Sequence, residues 1–159
     1  MVRIKEPKSA ADVDIVRELF REYERAIGID LCFQGFQDEL ETLPGKYGRP
    51  DGRLYLAYSG EEVSGCVGFR KIADGVCEMK RLYVRPEYRG EKIGRILAEK
   101  TVVVARETGY RIMRLDTLNT MHEAIGLYES LGFRRTEPYY SNPHPSAVYM
   151  ELNLEESSI

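Results

Sequence analysis

Apolar positions along this chain alternate between a period of two and a period of 3.6, and the switches mark its elements. Residues 2–6 (VRIKE) alternate apolar and polar as a short strand does, and Pro7 ends them. Val16, Leu19, Phe20, Tyr23 and Ile27 then recur at i, i+3, i+4, i+7 and i+11, one face of an amphipathic helix. Ser9 stands at its N-cap with Asp12 three residues on, and Gly28 sits where it should stop. Residues 33–42 predict a shorter second helix, broken by the Pro and Gly residues between 44 and 52. Two β-rich runs in RLYLAYSGEEVSGCVGFRKI flank Ser59-Gly60 as a hairpin, and Asp74-Gly75 marks the next turn. VCEMKRLYV (76–84) reads as a strand, 85–92 as a basic loop, and Ile93 to about Glu107 as a helix closed by Gly109. RIMRLDTL (111–118) is a strand and 121–132 a helix. FRRTEPY and AVYMELNL complete the sheet across the loop YSNPHPS.

The expected order is β-α-α-β-β-β-α-β-α-β-β. Hairpins require antiparallel pairs and helical crossovers permit parallel ones. The predicted class is therefore mixed α/β: a mostly antiparallel sheet of about seven strands flanked by helices. No repeat, low-complexity stretch or linker divides 159 residues, so one domain over 1–159 is expected.

Charge narrows the function. The chain carries −3 overall, which disfavours nucleic acid as a partner, since that affinity rests on many phosphate contacts. No apolar run is long enough for a membrane span, and the start lacks the apolar stretch of a signal peptide. Cys32, Cys66 and Cys77 are too scattered for a disulfide framework and fit a cytoplasmic protein. Only His122 and His144 are present, so no metal site is expected.

The departure from this mild acidity is local. Residues 80–100 hold seven basic and three acidic side chains around a strand, a turn with Gly90 and Gly94, and a helix start. Unpaired N–H groups and the positive dipole end of a helix hold anions, and glycines let a phosphate approach the backbone. A phosphate or pyrophosphate site is predicted there; a solvated basic turn is the plainer reading. Neither a Walker sequence nor G-x-G-x-x-G is present.

VCEMKRLYVRPEYRGEKIGRILAEK resembles motif A of the GNAT superfamily of acyl-CoA N-acyltransferases, Gln/Arg-x-x-Gly-x-Gly/Ala at a strand-to-helix turn. Here it reads Arg89-Gly90-Glu91-Lys92-Ile93-Gly94, with Lys92 at the middle glycine. A helical φ at that residue would accommodate the lysine. AIGLYESLGF (124–133) resembles the family's later helix and strand, and PYYSNPHPSAVYMEL a branch of its bacterial members. The element order matches over nearly the whole chain.

The resemblance implies the family's fold and transfer of an acetyl or other acyl group from acyl-CoA to an amine, with acetyl-CoA as cosubstrate and no metal. Backbone groups of Leu82, Tyr83 and Val84 would meet the pantetheine arm. The turn and helix start at Arg89, Gly90, Glu91, Lys92, Ile93, Gly94 and Arg95 would bind the pyrophosphate. An amine near pKa ~10.4 arrives protonated, so a base is needed, and Glu78, 11 residues before Arg89, is the candidate. Tyr128 is the candidate acid for the departing thiolate, and a backbone N–H near Leu82 or Tyr83 for the oxyanion. Glu78 could instead pair with Lys80 or Arg81, and Tyr128 could be core packing. Cys77 has no evident His partner and Asp116 reads as structural.

The loop residues Tyr139, Tyr140, Asn142 and His144 are candidates for binding the acceptor, a small-molecule or peptide amine. Asp38, Glu39 and Glu41 would suit a cationic acceptor, and equally a solvated helix face. Lys92 leaves a second function open, a non-catalytic acyl-CoA sensor or regulatory module of the same fold. Edge strands near the C-terminus could pair in a homodimer.

Overall fold

The computed structural model describes residues 1–157 and 159. It contains β1 (Val2–Lys5), α1 (Ala10–Ile27), a 3-10 turn (Leu31–Gln34), α2 (Phe36–Thr42), β2 (Arg53–Ser59), β3 (Glu62–Ala73), β4 (Val76–Val84), α3 (Ile93–Thr108), β5 (Ile112–Leu118), α4 (His122–Ser130), β6 (Arg134–Arg135) and β7 (Ala147–Asn153). One sheet runs in the order β1-β2-β3-β4-β5-β7-β6. Every pair is antiparallel except β4 with β5. The mixed, mostly antiparallel class expected from the pattern is the one observed.

Local chemistry sets the boundaries. Ser9 accepts from the Asp12 N–H while the Asp12 carboxylate accepts from the Ser9 N–H, a capping box that starts α1. Gly28, with φ 70°, ends it. Two expectations change. The helix expected over 33–42 is interrupted by Gly35, whose φ of 70° separates the 3-10 turn from α2. The strand expected over 133–139 shrinks to Arg134–Arg135. Thr136 N–H still reaches Tyr149 O, but Pro138 has no N–H to continue the ladder. The chain leaves the edge there, and Tyr139 and Tyr140 turn back against Tyr149 of β7.

The sheet separates two cores. α3 and α4 bury Ile93, Leu97, Val102 and Tyr128 with Met79, Met113 and Leu115 on one face. α1, α2 and the 3-10 turn bury Val16, Leu19, Phe20, Leu31, Phe36 and Leu40 on Leu54, Leu56 and Cys66 on the other. Alternation along β4 and β5 therefore sends Met79 and Leu115 to the first core. Glu78, Lys80 and Asp116 go to the opposite face.

Candidate active site

The parallel pair β4–β5 is short. Val76, Cys77 and Glu78 pair with Ile112, Met113 and Arg114, and there the ladder ends. β5 keeps its pairing with β7 from Ile112 to Leu118, so beyond Glu78 the two central strands part. A cleft of about 400 Å³ fills the opening.

A bulge shapes the β4 side. Cys66 pairs with Tyr83 and Gly68 with Lys80, so Arg81 and Leu82 together oppose Val67. Arg81 takes φ 63°. Its side chain is almost wholly buried and donates Nε and Nη2 to the two Glu39 oxygens, each at 2.9 Å. Its guanidinium also lies over the rings of Phe36 and Tyr23. Burial works to raise the Glu39 carboxyl, but the bidentate Arg81 outweighs it and holds the group below its ordinary value. This pair fastens α2 to β4, so Glu39 is structural. Past the bulge, Leu82 and Val84 line the cleft. The Tyr83 phenol points away and donates to Glu22.

The floor is the start of α3. Arg89, Gly90, Lys92, Ile93, Gly94 and Arg95 all line the cleft, whereas Glu91 does not. No side chain caps this helix among the described residues, so its first N–H groups lack the partners that a Ser or Asp would supply. A Cβ built on Gly94 would make only ordinary van der Waals contact, at 3.8 Å, with Leu127 and Val84. Lys92 departs from expectation. Its φ is 62° and its ψ 21°, left-handed rather than helical. A lysine in this region, which favours glycine, bears a steric cost of roughly 1–2 kcal/mol.

Tyr128 of α4 lines the far wall against Phe133. Burial raises its phenol above the ordinary value, and the nearby Tyr23 and Asp116 add to this. It stays protonated across the neutral range.

Glu78 is 1% exposed and lies off the cleft wall. Its Oε1 accepts from Arg70 Nε at 3.1 Å and its Oε2 from the Tyr139 hydroxyl at 2.7 Å. It sits on the sheet face opposite the Tyr128 core. Lys80 Nζ is 3.8 Å from Glu78 Oε1 and donates to Gln34 Oε1 at 3.1 Å. Lys80 does line the cleft, as does Asp116 across the gap. Burial, then the Arg81 guanidinium, pushes the Lys80 ammonium down to about 8. Asp116 Oδ2 accepts from the Tyr140 hydroxyl and from Asn142 Nδ2. Asn142 and His144 reach the cleft rim, while Tyr139 and Tyr140 stand behind it. Cys77 is buried in apolar surroundings that push its thiol up, and His122 is exposed.

Thus Tyr128, the α3 turn, Leu82, Val84, Asn142 and His144 share one cleft. Lys80, Asp116, Tyr23 and Gln34 join them from outside the predicted set of site residues. A signal for two of these was present: Lys80 and Asp116 are charged positions inside strands whose other members are largely apolar.

Comparison with known proteins places the chain in a family. The model of the acetyltransferase (GNAT) family matches residues 13–133. An uncharacterized N-acetyltransferase of Schizosaccharomyces pombe is 43% identical over 98% of this chain and 96% of its own length. A GNAT-family acetyltransferase from Staphylococcus aureus superposes with a TM-score of 0.79 at 21% identity, over 97% of this chain and 99% of that one. The PaiA N-acetyltransferase of Thermoplasma acidophilum, solved with coenzyme A, gives 0.74 at 20% identity, over 96% and 99%. A family match across most of the chain and a relative this similar end to end lead to one conclusion: this protein belongs to the GNAT acetyltransferase family.

Proposed function

We propose that this enzyme transfers the acetyl group of acetyl-CoA to a primary amine by direct attack within a ternary complex. One observation carries the reading. The uncapped N-terminus of α3 opens onto the cleft between β4 and β5, and Tyr128 lines the same cleft. The Thermoplasma neighbour solved with coenzyme A lends the same cosubstrate to this reading.

In the proposed complex, the N–H groups of residues 90–95 hold the diphosphate, with Arg89, Lys92 and Arg95 around it. Main-chain groups of Leu82, Tyr83 and Val84, freed from β5 by the splay, hold the pantetheine arm. A backbone N–H near Leu82 or Tyr83 donates to the thioester oxygen as it gains charge. The acceptor ammonium first gives up a proton. Of the two carboxylates that line the cleft, Asp116 and Glu123, Asp116 lies on the strand beside that of Lys80 and takes this proton; its two partners, Tyr140 and Asn142, both use Oδ2. Glu78 stands behind Lys80 and would act through that group or a water rather than by contact. The amine nitrogen then bonds to the acyl carbon, the carbon–sulfur bond breaks, and the Tyr128 hydroxyl protonates the thiolate. The nitrogen, carrying one proton too many after attack, passes it back to Tyr128 as the amide forms, and the proton taken before attack leaves for solvent.

Calorimetry with coenzyme A and release of free thiol from acetyl-CoA with an amine panel test the reading. Binding at a one-to-one ratio and amine-dependent thiol release are expected. Absence of coenzyme A binding would overturn it.

A further inference from the structure

The acceptor end of the cleft carries two opposite charges that do not neutralise each other. Lys80 and Asp116 occupy neighbouring strands and face the same side of the sheet, where β4 and β5 have already parted. They are close enough for Asp116 to favour the charged form of Lys80, yet no ion pair joins them among the described residues.

Each is held by neutral neighbours that leave capacity toward the cleft. Lys80 is 6% exposed and gives one of its three N–H groups to Gln34, while the Glu78 oxygen at 3.8 Å lies beyond a good hydrogen bond. Asp116 takes both of its bonds on Oδ2, so Oδ1 remains. Glu78 at 3.8 Å supplies Lys80 with an opposite charge but no direct hydrogen bond, and a buried ammonium with unfilled N–H groups is costly. An anion supplied by a ligand would offset that cost.

Resting on the acyl-transfer reading above, we propose that the acceptor is an α-amino acid with an apolar side chain. Its ammonium sits on Asp116 and its carboxylate on Lys80. A small zwitterion, which holds its two charges on either side of a single carbon, offers one partner to each of the two protein charges. A simple amine would offer Lys80 nothing beyond the Glu78 oxygen at 3.8 Å, and a peptide N-terminus only a neutral carbonyl. The apolar preference follows from the wall above these charges. Ile27, Ile29, Leu31 and Phe33, from the end of α1 and the 3-10 turn, line the cleft there. Phe33 is 38% exposed, an aromatic ring left open at the rim.

The test is a matched acceptor series with acetyl-CoA: leucine and phenylalanine, their amides, and the corresponding amines lacking the carboxyl group. The free amino acids should show kcat/KM about tenfold to hundredfold above amides and amines, the range of a hydrogen bond to a charged group. Lys80→Met should collapse that ratio toward one, and Lys80→Arg should retain most of it. Amides or amines used as well as the amino acids would overturn the proposal, as would a ratio unchanged in Lys80→Met. Should Lys80→Met fail to fold, the series on the unaltered enzyme decides. Acetyl-CoA binding with turnover of amines alone would refute the amino-acid acceptor while leaving acyl transfer intact. Loss of acetyl-CoA binding itself would refute both.

Discussion

The two halves of β4 have the same strand geometry and opposite tasks. Val76, Cys77 and Glu78 pair on both sides, with β3 and with β5, and are buried. From Lys80 to Val84 the strand keeps β3, acquires the bulge at Arg81 and loses β5. The first half stores its polar group in a closed set of partners, Glu78 with Arg70 and Tyr139. The second half leaves polar groups open to the cleft. Stability resides where the ladder is complete, and chemistry is available where it ends. A backbone without its neighbour strand has donors and acceptors to give to a ligand.

The hinge of this difference is Arg81, so the largest effect is expected there. Arg81→Leu leaves the Glu39 carboxylate buried without its partner. It should cost about 3–5 kcal/mol, lowering Tm by roughly 10 °C or more, as differential scanning calorimetry would measure. Acid should act on the same pair. The folded Glu39 value lies below the unfolded one, so its contribution is complete above the unfolded carboxylate pKa of ~4.3 and fades as pH falls through the lower, folded value. The acid limb of a Tm-against-pH curve should therefore flatten in Glu39→Gln.

On the open half, Tyr128→Phe should lower kcat by about 10²-fold or more while coenzyme A affinity by calorimetry stays near its original value. A matching fall in affinity would instead make Tyr128 a binding residue. Asp116→Asn and Glu78→Gln sharpen the contrast between cleft and closed set. The first should lower kcat by about tenfold or more, and the second should show the larger loss of thermal stability. The reverse pattern would return the base to Glu78. Gly94→Glu sets a carboxylate over the anion-binding turn. It should weaken coenzyme A about 100-fold with little change in Tm, since a Cβ there makes only ordinary van der Waals contact with Leu127 and Val84. The smallest effect is expected at Lys92→Gly. Relief of the left-handed strain, less the entropy of an added glycine, should raise stability by about 0.5 kcal/mol, and coenzyme A should bind slightly less tightly without the ammonium.

Much of the fold was legible because its signals are local. The Ser9–Asp12 box, Gly28 and Gly109, the hairpin turns and the alternation of β4 and β5 act within a few residues of themselves. The breaks at Gly35 and Pro138 are visible as residues, but the apolar pattern around each is the stronger local signal. The site divides in the same way. The α3 turn could be read from its glycines and charges, because a phosphate cradle is a contiguous stretch of backbone. Glu78 could be noticed as a carboxylate near that turn, but its distance from the cleft could not. That depends on Arg70 of β3 and Tyr139 of the last loop, which meet it from 8 and 61 residues away.

Residue order alone therefore determined which segments curl or extend, and that one turn would attract an anion. Backbone propensity, capping and helix-end polarity need no distant partner. Only the assembled sheet decided where β4 and β5 separate, that Lys80 and Asp116 line one cleft, and that Lys92 takes a left-handed conformation that favours glycine. Those outcomes follow from packing between strands and helices far apart along the chain, where burial and pairing override local preference.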